Sequence, residues 1–539
     1  MARNCYTVRR HGGEYYRASP AESNSPRSFH NLTATRADLF ITAARLKCRG
    51  LFPTMADAIV IEGRPMRIAA AVSATLLLAT GAAAADDVSD LRERLEAQEQ
   101  KIRVLERKLE LQDEATKTAV SSTPVVRASP QQGFRIQSAD SQNVLRLRGV
   151  LQFDGRYFPD DITPATADTW LLRRVRPILE GTLNGIYDFR FTPDFAQGKT
   201  VVQDAYIAAR FKPWATLTAG KFKVPVGLER LQSATDIRFI ERAFPTSLVP
   251  NRDLGVTFGG DVAGGVVNYA VGYFNGVSDG GSSDGNTPTP DAENDTKGDY
   301  AARVFFQPFL NSDNFALRGL GFGVGGTYVD STGSTTTTLL PSYRTPGQQT
   351  FFSYRGTTAA SGTTPAVNGT FADGERLRWS PQAYYSIGSF GLLGEYVNVS
   401  QDVTRATPTA GIRSATLDNK AWQVQLAWFA TGEDESFRGF MPQSVFSLDN
   451  GTWGALELVA RYQELDVDDD AFAGGTDSFA NPDSSASKAS AWGVGVNWYF
   501  NQNYKWSINY DVTRFEGGAV GGADRPDEKA LFTRIGLQF

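Results

Sequence analysis

Apolar and polar residues alternate along most of the chain between Gly133 and Phe539. In residues 145–157 the odd positions are apolar or Gly, whereas the even positions are mainly Arg, Gln and Asp. Successive side chains of a strand point to opposite faces, so one face of such a strand suits lipid and the other suits water. The same alternation recurs in residues 187–192, 204–211, 456–465, 492–500 and 506–514 and at the C-terminus. The pattern predicts an all-β fold, a transmembrane antiparallel β-barrel.

The length of the alternating region predicts the size of the barrel. Residues 133–539 hold about sixteen such segments, which leaves about 25 residues for each strand and its connection, as expected for strands joined by alternating short turns and long loops. Three stretches rich in Gly, Ser, Thr, Asp or Pro separate the segments, and we expect them to be extracellular loops: residues 275–297, 331–373 and 466–488.

A different periodicity precedes the barrel, in residues 86–114. Its heptad positions a are Val88, Leu95, Ile102 and Leu109, and its positions d are Leu91, Gln98, Leu105 and Gln112. The remaining faces carry Glu, Arg and Lys, so this periplasmic helix needs a partner for its apolar seam. A self-associating coiled coil, trimeric if the barrel is a porin, is favoured over a helix packed on its own domain. Residues 115–132, with Pro124 and Pro130, are interpreted as a linker.

The N-terminal region predicts export. Residues 66–85 contain Met-Arg, a short apolar stretch and an Ala83-x-Ala85 end, which is typical of a Sec-type signal peptide cleaved after Ala85. Residues 1–65 form a long polar segment ahead of this signal. Our hypothesis is that translation starts at Met66 or Met55 and that residues 1–65 are a non-mature extension. Export together with a barrel predicts the outer membrane of a Gram-negative cell.

Composition excludes most enzyme classes. The chain has 2 His and 2 Cys, and all four lie before residue 49. Everything after residue 48 therefore lacks histidine-based triads, cysteine nucleophiles, the usual zinc ligands and disulfides. We expect no enzymatic activity, no cofactor and no metal site. Asp and Glu outnumber Lys and Arg, 59 to 54, which argues against nucleic acid as a partner.

Clusters of basic residues lie on the polar faces of the first strands. A Lys or Arg facing lipid at the bilayer midplane costs about 2–4 kcal/mol, so these side chains are predicted to point into the lumen, where they would select anions. The candidates are Arg174 and Arg176 in one strand and Lys221 and Lys223 in another. Acidic residues occupy the same region, so an alternative is a general porin with interleaved charges and no sharp selectivity.

Several motifs resemble the phosphate-selective porin O and P family of outer-membrane channels. They are residues 147–156, 172–181, 194–198, 204–206, 220–230, 239–242, 431–433, 454–462 and 497–500. The resemblance implies a trimer of 16-stranded barrels, with a ladder of arginines and a lysine-rich constriction in the lumen. By position in the motifs, Arg174, Arg176, Lys221 and Lys223 would contact anions, followed by Arg156, Arg230 and Arg242.

The expected function is passive diffusion of small anions, phosphate or polyphosphate among them, and the alternative is a general porin for small hydrophilic solutes. The expected partners are these anions, outer-membrane lipid and lipopolysaccharide, two further copies of the chain, and the barrel assembly machinery, which would read the strand ending at Phe539. A third possibility, compatible with a pore, is a tether whose coiled coil reaches peptidoglycan.

Overall fold

The computed structural model describes residues 85–539, except 123, 130–132, 161–167, 286–289, 293–296, 361–366, 408, 410 and 440. The extension 1–65 and the signal peptide up to residue 84 therefore lie outside the described residues. Within the described part of the chain, no helix combines the length and the apolar character needed to cross a bilayer.

The helices are α1 (Ala85–Ser122), α2 (Leu228–Leu231) and α3 (Phe315–Arg318). The strands are β1 (Val125–Ser129), β2 (Gly133–Gln137), β3 (Val144–Tyr157), β4 (Thr169–Leu183), β5 (Tyr187–Asp194), β6 (Val201–Lys212), β7 (Ala215–Lys223), β8 (Arg252–Val262), β9 (Val267–Phe274), β10 (Asp299–Phe306), β11 (Leu320–Thr332), β12 (Ser342–Arg344), β13 (Thr350–Ser353), β14 (Phe371–Ile387), β15 (Phe390–Thr407), β16 (Gly411–Phe429), β17 (Ala455–Asp466), β18 (Ala486–Tyr499), β19 (Tyr504–Gly517) and β20 (Glu528–Gln538).

Sixteen strands, β3–β11 and β14–β20, close into an antiparallel barrel. Each pairs with its neighbours in chain order, and β20 pairs with β3 from Leu531 opposite Tyr157 to Gln538 opposite Val150, which completes the ring. The predicted strand number and fold class are confirmed. A ring satisfies backbone hydrogen bonds between strands, which is the condition for strands to stand in a bilayer that offers no water.

The alternation in sequence becomes an alternation of environment. In β17, Glu457 and Arg461 are buried inside the barrel, whereas Leu458 and Tyr462 expose 37% and 42% of their surface on the outside. Apolar exposure of this kind is stable only against lipid, and the buried charges need partners in the lumen.

The two ends of the barrel differ in their connections. The three stretches predicted as extracellular correspond to the connections 275–298, 333–370 and 467–485, all at one end, which we name the loop end. The opposite end, named the turn end, has mostly short turns. Two of its connections are nevertheless long: residues 307–319 and 430–454.

An apolar cluster fills part of the lumen at the loop end. The hairpin β12–β13 belongs to the connection 333–370, and its Tyr343, Phe351 and Phe352 are fully buried. Phe351 meets Phe244 of the connection 224–251 and Phe515 of β19, with ring centroids 5.8 and 6.1 Å apart. The sequence predicts this stretch to be an external loop. The hairpin escapes that prediction because its strands are too short to give a periodic signal.

The segment before the barrel differs from its predicted boundaries. The helix predicted over 86–114 continues to Ser122, and the predicted linker 115–132 contains the end of α1 and all of β1. Pro124 disfavours helical backbone in the residue before it, and the adjacent Val125 and Val126 favour a strand. β1 pairs with β2, and β2 pairs with the first residues of β3, where β20 does not reach.

Candidate functional site

The connection 224–251, which we name the inner loop, runs through the lumen. Its backbone is fastened to the far wall: the Ile240 amide donates to Asn509 Oδ1 of β19 at 2.7 Å, and the Phe244 amide donates to Gln463 Oε1 of β17 at 2.7 Å. Arg461 Nη1 of β17 donates to the carbonyl of Glu241 at 3.0 Å. The inner loop is therefore part of the rigid interior and narrows the lumen.

The Glu241 side chain fastens the inner loop to the near wall. Arg173 donates to both carboxylate oxygens, from Nε at 2.8 Å and from Nη2 at 3.1 Å, and Arg156 Nη2 donates to Oε1 at 3.0 Å. Burial opposes ionisation of Glu241, but Arg173, with Arg534 and Arg156 beside it, holds the pKa of this carboxyl well below its usual range. Glu241 is consequently an anion at any physiological pH.

Arg173 reaches the lumen through an irregularity in the strand pairing. Gln152 lies opposite Arg174 and Phe153 lies opposite Leu172, so Arg173 is an extra residue in β4. A bulge re-aims side chains, and here two consecutive arginines, Arg173 and Arg174, contact lumen residues. Strict alternation had assigned only Arg174 to this face.

An open cavity of about 600 Å³ remains between the inner loop and the wall formed by β3–β9, and we name it the pore cavity. Its charged lining consists of four basic and two acidic side chains: Arg176, Arg190, Lys223, Arg252, Asp188 and Asp204. The basic residues come from four different strands, β4, β5, β7 and β8. They are therefore spread along the wall of the cavity that faces the inner loop.

Ion pairs and hydrogen bonds hold these cations in place. Arg176 Nε donates to Asp194 Oδ2 at 2.7 Å, and Arg252 Nε donates to Asp204 Oδ1 at 2.9 Å. Lys223 Nζ donates to the inner-loop carbonyls of Leu231 and Gln232 at 3.2 and 2.6 Å. A guanidinium has five N–H donors, so Arg176 and Arg252 keep donors for a solute after these bonds are made.

Of the seven residues predicted to contact anions, Arg176 and Lys223 line the pore cavity. Four others have structural partners in the lumen. Arg156 binds Glu241, and Arg174 donates to Gln152 Oε1. Arg230 and Arg242 donate to carbonyl oxygens of the inner loop itself. Their contact with permeating anions stays a prediction.

Arg230 and Arg242 contribute charge from inside the inner loop. Burial lowers the pKa of Arg230 to about 9 and that of Arg242 to about 10. Both guanidinium groups therefore remain protonated at neutral pH, and they add positive potential behind the side of the cavity that the inner loop forms.

Lys221, unlike Lys223, does not line the pore cavity, and its contact with permeating anions stays a prediction. Lys221 and Lys223 share the parity of the exposed Leu217, so alternation along β7 does not separate the two lysines; Lys223, the last residue of the strand, reaches the inner loop and the cavity. The Lys221 side chain is 3% exposed, and its ammonium group pairs with Asp284 at 3.0 Å and with Asp291 at 2.6 Å. The two carboxylates of the connection 275–298 compensate the buried charge of Lys221, a pairing that strand periodicity does not predict.

Sequence reasoning also missed cavity residues. Arg190 lies in the segment 187–192, whose alternation places Asp188, Arg190 and Thr192 on one face, so the signal was present. Arg252 begins β8 directly after the inner loop, where periodicity carries no information about direction.

The long connection 430–454 supports the inner loop from the turn end. Gln232 Nε2 donates to the Phe437 carbonyl at 3.0 Å, and Arg238 forms ion pairs with Glu435 and with Glu457 of β17. The Phe437 ring stacks on Tyr384 of β14 with centroids 4.6 Å apart. The inner loop is thus held both by the barrel wall and by the connection 430–454.

The family model for phosphate-selective porin O and P matches residues 145–539. The chain belongs to this family. It is also 25% identical, over 394 residues, to Porin O of Pseudomonas aeruginosa, a match that covers 70% of this chain and 84% of the relative. With the closed barrel and its narrowed lumen, the family assignment makes the protein an outer-membrane porin, a channel rather than an enzyme.

Solved porins show similarity of a more general kind. The outer-membrane channel DcaP of Acinetobacter baumannii aligns with a TM-score of 0.47 at 11% identity, over 75% of this chain and 99% of that one. The trimer form of OmpT of Vibrio cholerae aligns with a TM-score of 0.43 at 13% identity, over 74% and 99%.

Proposed function

We propose that this porin conducts small anions, phosphate among them, by passive diffusion through the pore cavity. The observation that carries the proposal is the charged lining, in which four cations face two carboxylates. Asp204 is bound by Arg252 at 2.9 Å and lies 3.7 Å from Arg190, so its charge is largely compensated. An anion that sheds part of its hydration shell would receive N–H donors in exchange.

Arg176, Arg190, Lys223 and Arg252 are the residues to which we assign contact with the anion. Each comes from a strand of the barrel wall. Arg176, Lys223 and Arg252 are fixed by the bonds described above, and Arg190 Nε donates to Thr192 Oγ1 at 3.2 Å, so the donors are pre-positioned. The other predicted residues, Arg156, Arg174, Arg230 and Arg242, would act through their field and by holding the inner loop.

A general porin for small hydrophilic solutes is the second candidate. Asp188 also lines the cavity. It accepts a hydrogen bond from Thr182 Oγ1 at 2.6 Å, and it pairs at 3.4 Å with Arg210, a side chain that is 49% exposed. If that carboxylate and Asp204 dominate the local field, the lumen would pass neutral solutes and cations as readily as anions.

We propose a homotrimer: the number of copies comes from the family resemblance, and helix α1 supports self-association. The side chains of Leu95, Ile102, Leu105 and Leu109 are 53–64% exposed in the single chain, on one heptad seam. Such a seam is stable in water when it packs against copies of itself. The same helix could instead tether the barrel to peptidoglycan, and loss of envelope attachment without loss of conductance after deletion of residues 88–112 would favour that role.

Export and insertion complete the proposal. Cleavage after Ala85 would release the mature chain to the periplasm, and the barrel assembly machinery would read the last strand. In the folded chain Phe539 lies against Phe134, with ring centroids 6.1 Å apart, and its amide donates to the Gly149 carbonyl at 3.1 Å. Lipopolysaccharide would surround the loop end.

The test is the zero-current potential of the refolded mature protein in a planar bilayer under a KCl gradient, for Lys223→Gln and for Lys221→Gln as its matched control. Both changes remove one ammonium charge from β7, but only Lys223 lines the pore cavity. We expect a chloride-selective potential in the native protein, a smaller one in Lys223→Gln and no change in Lys221→Gln. A cation-leaning potential in the native protein would contradict anion selectivity and favour the general porin.

A further inference from the structure

The wall of the pore cavity carries an apolar patch where a lumen should be polar. Val150 of β3 and Ile178 of β4 both line the cavity, Ile178 with only 5% of its surface exposed, and Val150 lies opposite Arg176 in the strand pairing. The neighbours of Val150 on the same face are Arg148 and Gln152, so its inward direction follows from the alternation itself. Water-filled barrels ordinarily place polar side chains at such positions.

The inner loop meets this patch with apolar residues of its own. Gln152 Nε2 donates to the Ala234 carbonyl at 3.2 Å, which brings Ala234 beside the wall near Val150. Lys223 Nζ donates to the Leu231 carbonyl at 3.2 Å, and both Leu231 and Ala234 line the cavity. Apolar surface therefore faces the cavity from both of its sides, close to a cation.

Aromatic rings extend the apolar surface toward the other cations. Tyr206 of β6 and Phe222 of β7 line the cavity with ring centroids 5.9 Å apart in an edge-to-face contact. Phe222 is held from behind by the buried Phe274, at 5.4 Å. These rings adjoin the strand positions of Arg190 and Lys223, so the cavity offers charge and apolar area side by side.

We propose that the pore cavity takes organic carboxylates with an apolar body in preference to inorganic phosphate. The inference rests on the anion conduction proposed above and names its substrate class. Phosphate gains nothing from apolar walls, because each of its oxygens needs a donor or water when it is dehydrated. A carboxylate with an alkyl or aryl body places its charge at Arg176, Lys223 or Arg252 and its body against the patch, where burial of apolar surface is favourable.

The test is block of the chloride current by acetate, butyrate and hexanoate, compared with inorganic phosphate, in bilayers that contain the mature protein. The three carboxylates carry the same charge and differ only in their methylene groups. We expect the half-blocking concentration to fall by about two- to fourfold for each added methylene, and hexanoate to block at a lower concentration than phosphate. The same additions to bilayers without protein give the baseline.

Two variants change the patch in opposite directions. Val150→Thr with Ile178→Thr keeps β-branched side chains in the strands but adds hydroxyl groups, and it should flatten the dependence on chain length. Thr218 of β7 and Thr257 of β8 lie opposite each other and both line the cavity. Thr218→Val with Thr257→Val removes their two hydroxyl groups, and it should steepen the dependence of block on chain length. Because the pairs are independent, poor folding of one leaves the other as a test.

The possible outcomes separate the two proposals. A chloride-selective native protein whose block is equal across the three carboxylates overturns the preference for organic anions and leaves anion conduction standing. A native protein with a cation-leaning zero-current potential overturns anion conduction and this inference with it. Chain-length dependence that is the same in the native protein and in both variants would place the binding surface elsewhere and overturn the assignment to the patch.

Discussion

Removal of the Glu241 charge should detach the inner loop from the near wall of the barrel. In Glu241→Gln the amide occupies almost the same volume, but Arg173 and Arg156 lose the carboxylate to which they donate three hydrogen bonds of 2.8–3.1 Å. Breaking one side of a buried ion pair costs about 3–5 kcal/mol, because the remaining charge stays buried without compensation. Arg173 and Arg156 are 21% and 12% exposed, so partial rehydration places the expected loss at the lower end, about 3 kcal/mol.

The assay is the free energy of unfolding in urea, followed by tryptophan fluorescence of the protein refolded in detergent. Asp160→Asn is the control, since the Lys529–Asp160 pair has a similar distance, 2.8 Å, but side chains that are 41% and 45% exposed. Exposed pairs contribute about 0–1 kcal/mol. If Glu241→Gln destabilises the protein no more than Asp160→Asn does, the inner loop is held by its backbone bonds alone and our reasoning is refuted.

The lowered pKa of Glu241 predicts that the stability of the protein depends on pH. Because the pKa of Glu241 is lower in the folded protein than in the unfolded chain, its stabilisation is present above the unfolded pKa and is lost as the pH falls toward the folded value. The native protein should therefore lose stability in acid more steeply than Glu241→Gln, which lacks the titrating group. Urea titrations at pH 7 and at pH 3 compare the two slopes, and equal slopes would contradict the assignment.

Three further changes test other parts of the structure. Replacing residues 339–354 by a short Gly-Ser linker should raise the single-channel conductance, because the hairpin fills lumen volume with fully buried rings; unchanged conductance would mean that ions never use that side. Gly149→Val should lower the yield of heat-modifiable barrel on gels and cost about 1–3 kcal/mol, since a Cβ there lies 2.5 Å from the Phe539 ring; a normal yield would show that the ring can move aside. Deletion of residues 88–112 should convert trimers to monomers in light scattering without altering the conductance per barrel, and a persistent trimer would place the assembly contacts in the barrel.

The strands could be predicted because their cause is local. Lipid on one side and water on the other impose a period of two on every membrane-spanning strand, and the sequence shows this alternation from Gly133 onward. Arg176 shares a face of β4 with Ile178 and Glu180, and its inward direction follows from the same rule. The family motifs, which are also local, located the basic residues of the inner loop without their partners.

Only the tertiary structure decided how the charges are used. The bulge that brings Arg173 inward depends on the register between β3 and β4. Lys221 is neutralised by Asp284 and Asp291, which are more than sixty positions away in the chain, and Glu241 meets Arg156 and Arg173 only when the inner loop crosses the lumen. The pairing of an ion or a loop depends on distance in space, which periodicity cannot encode. The alternation therefore determined which residues can face water, and the packing of the connections inside the barrel decided which of them face the pore cavity.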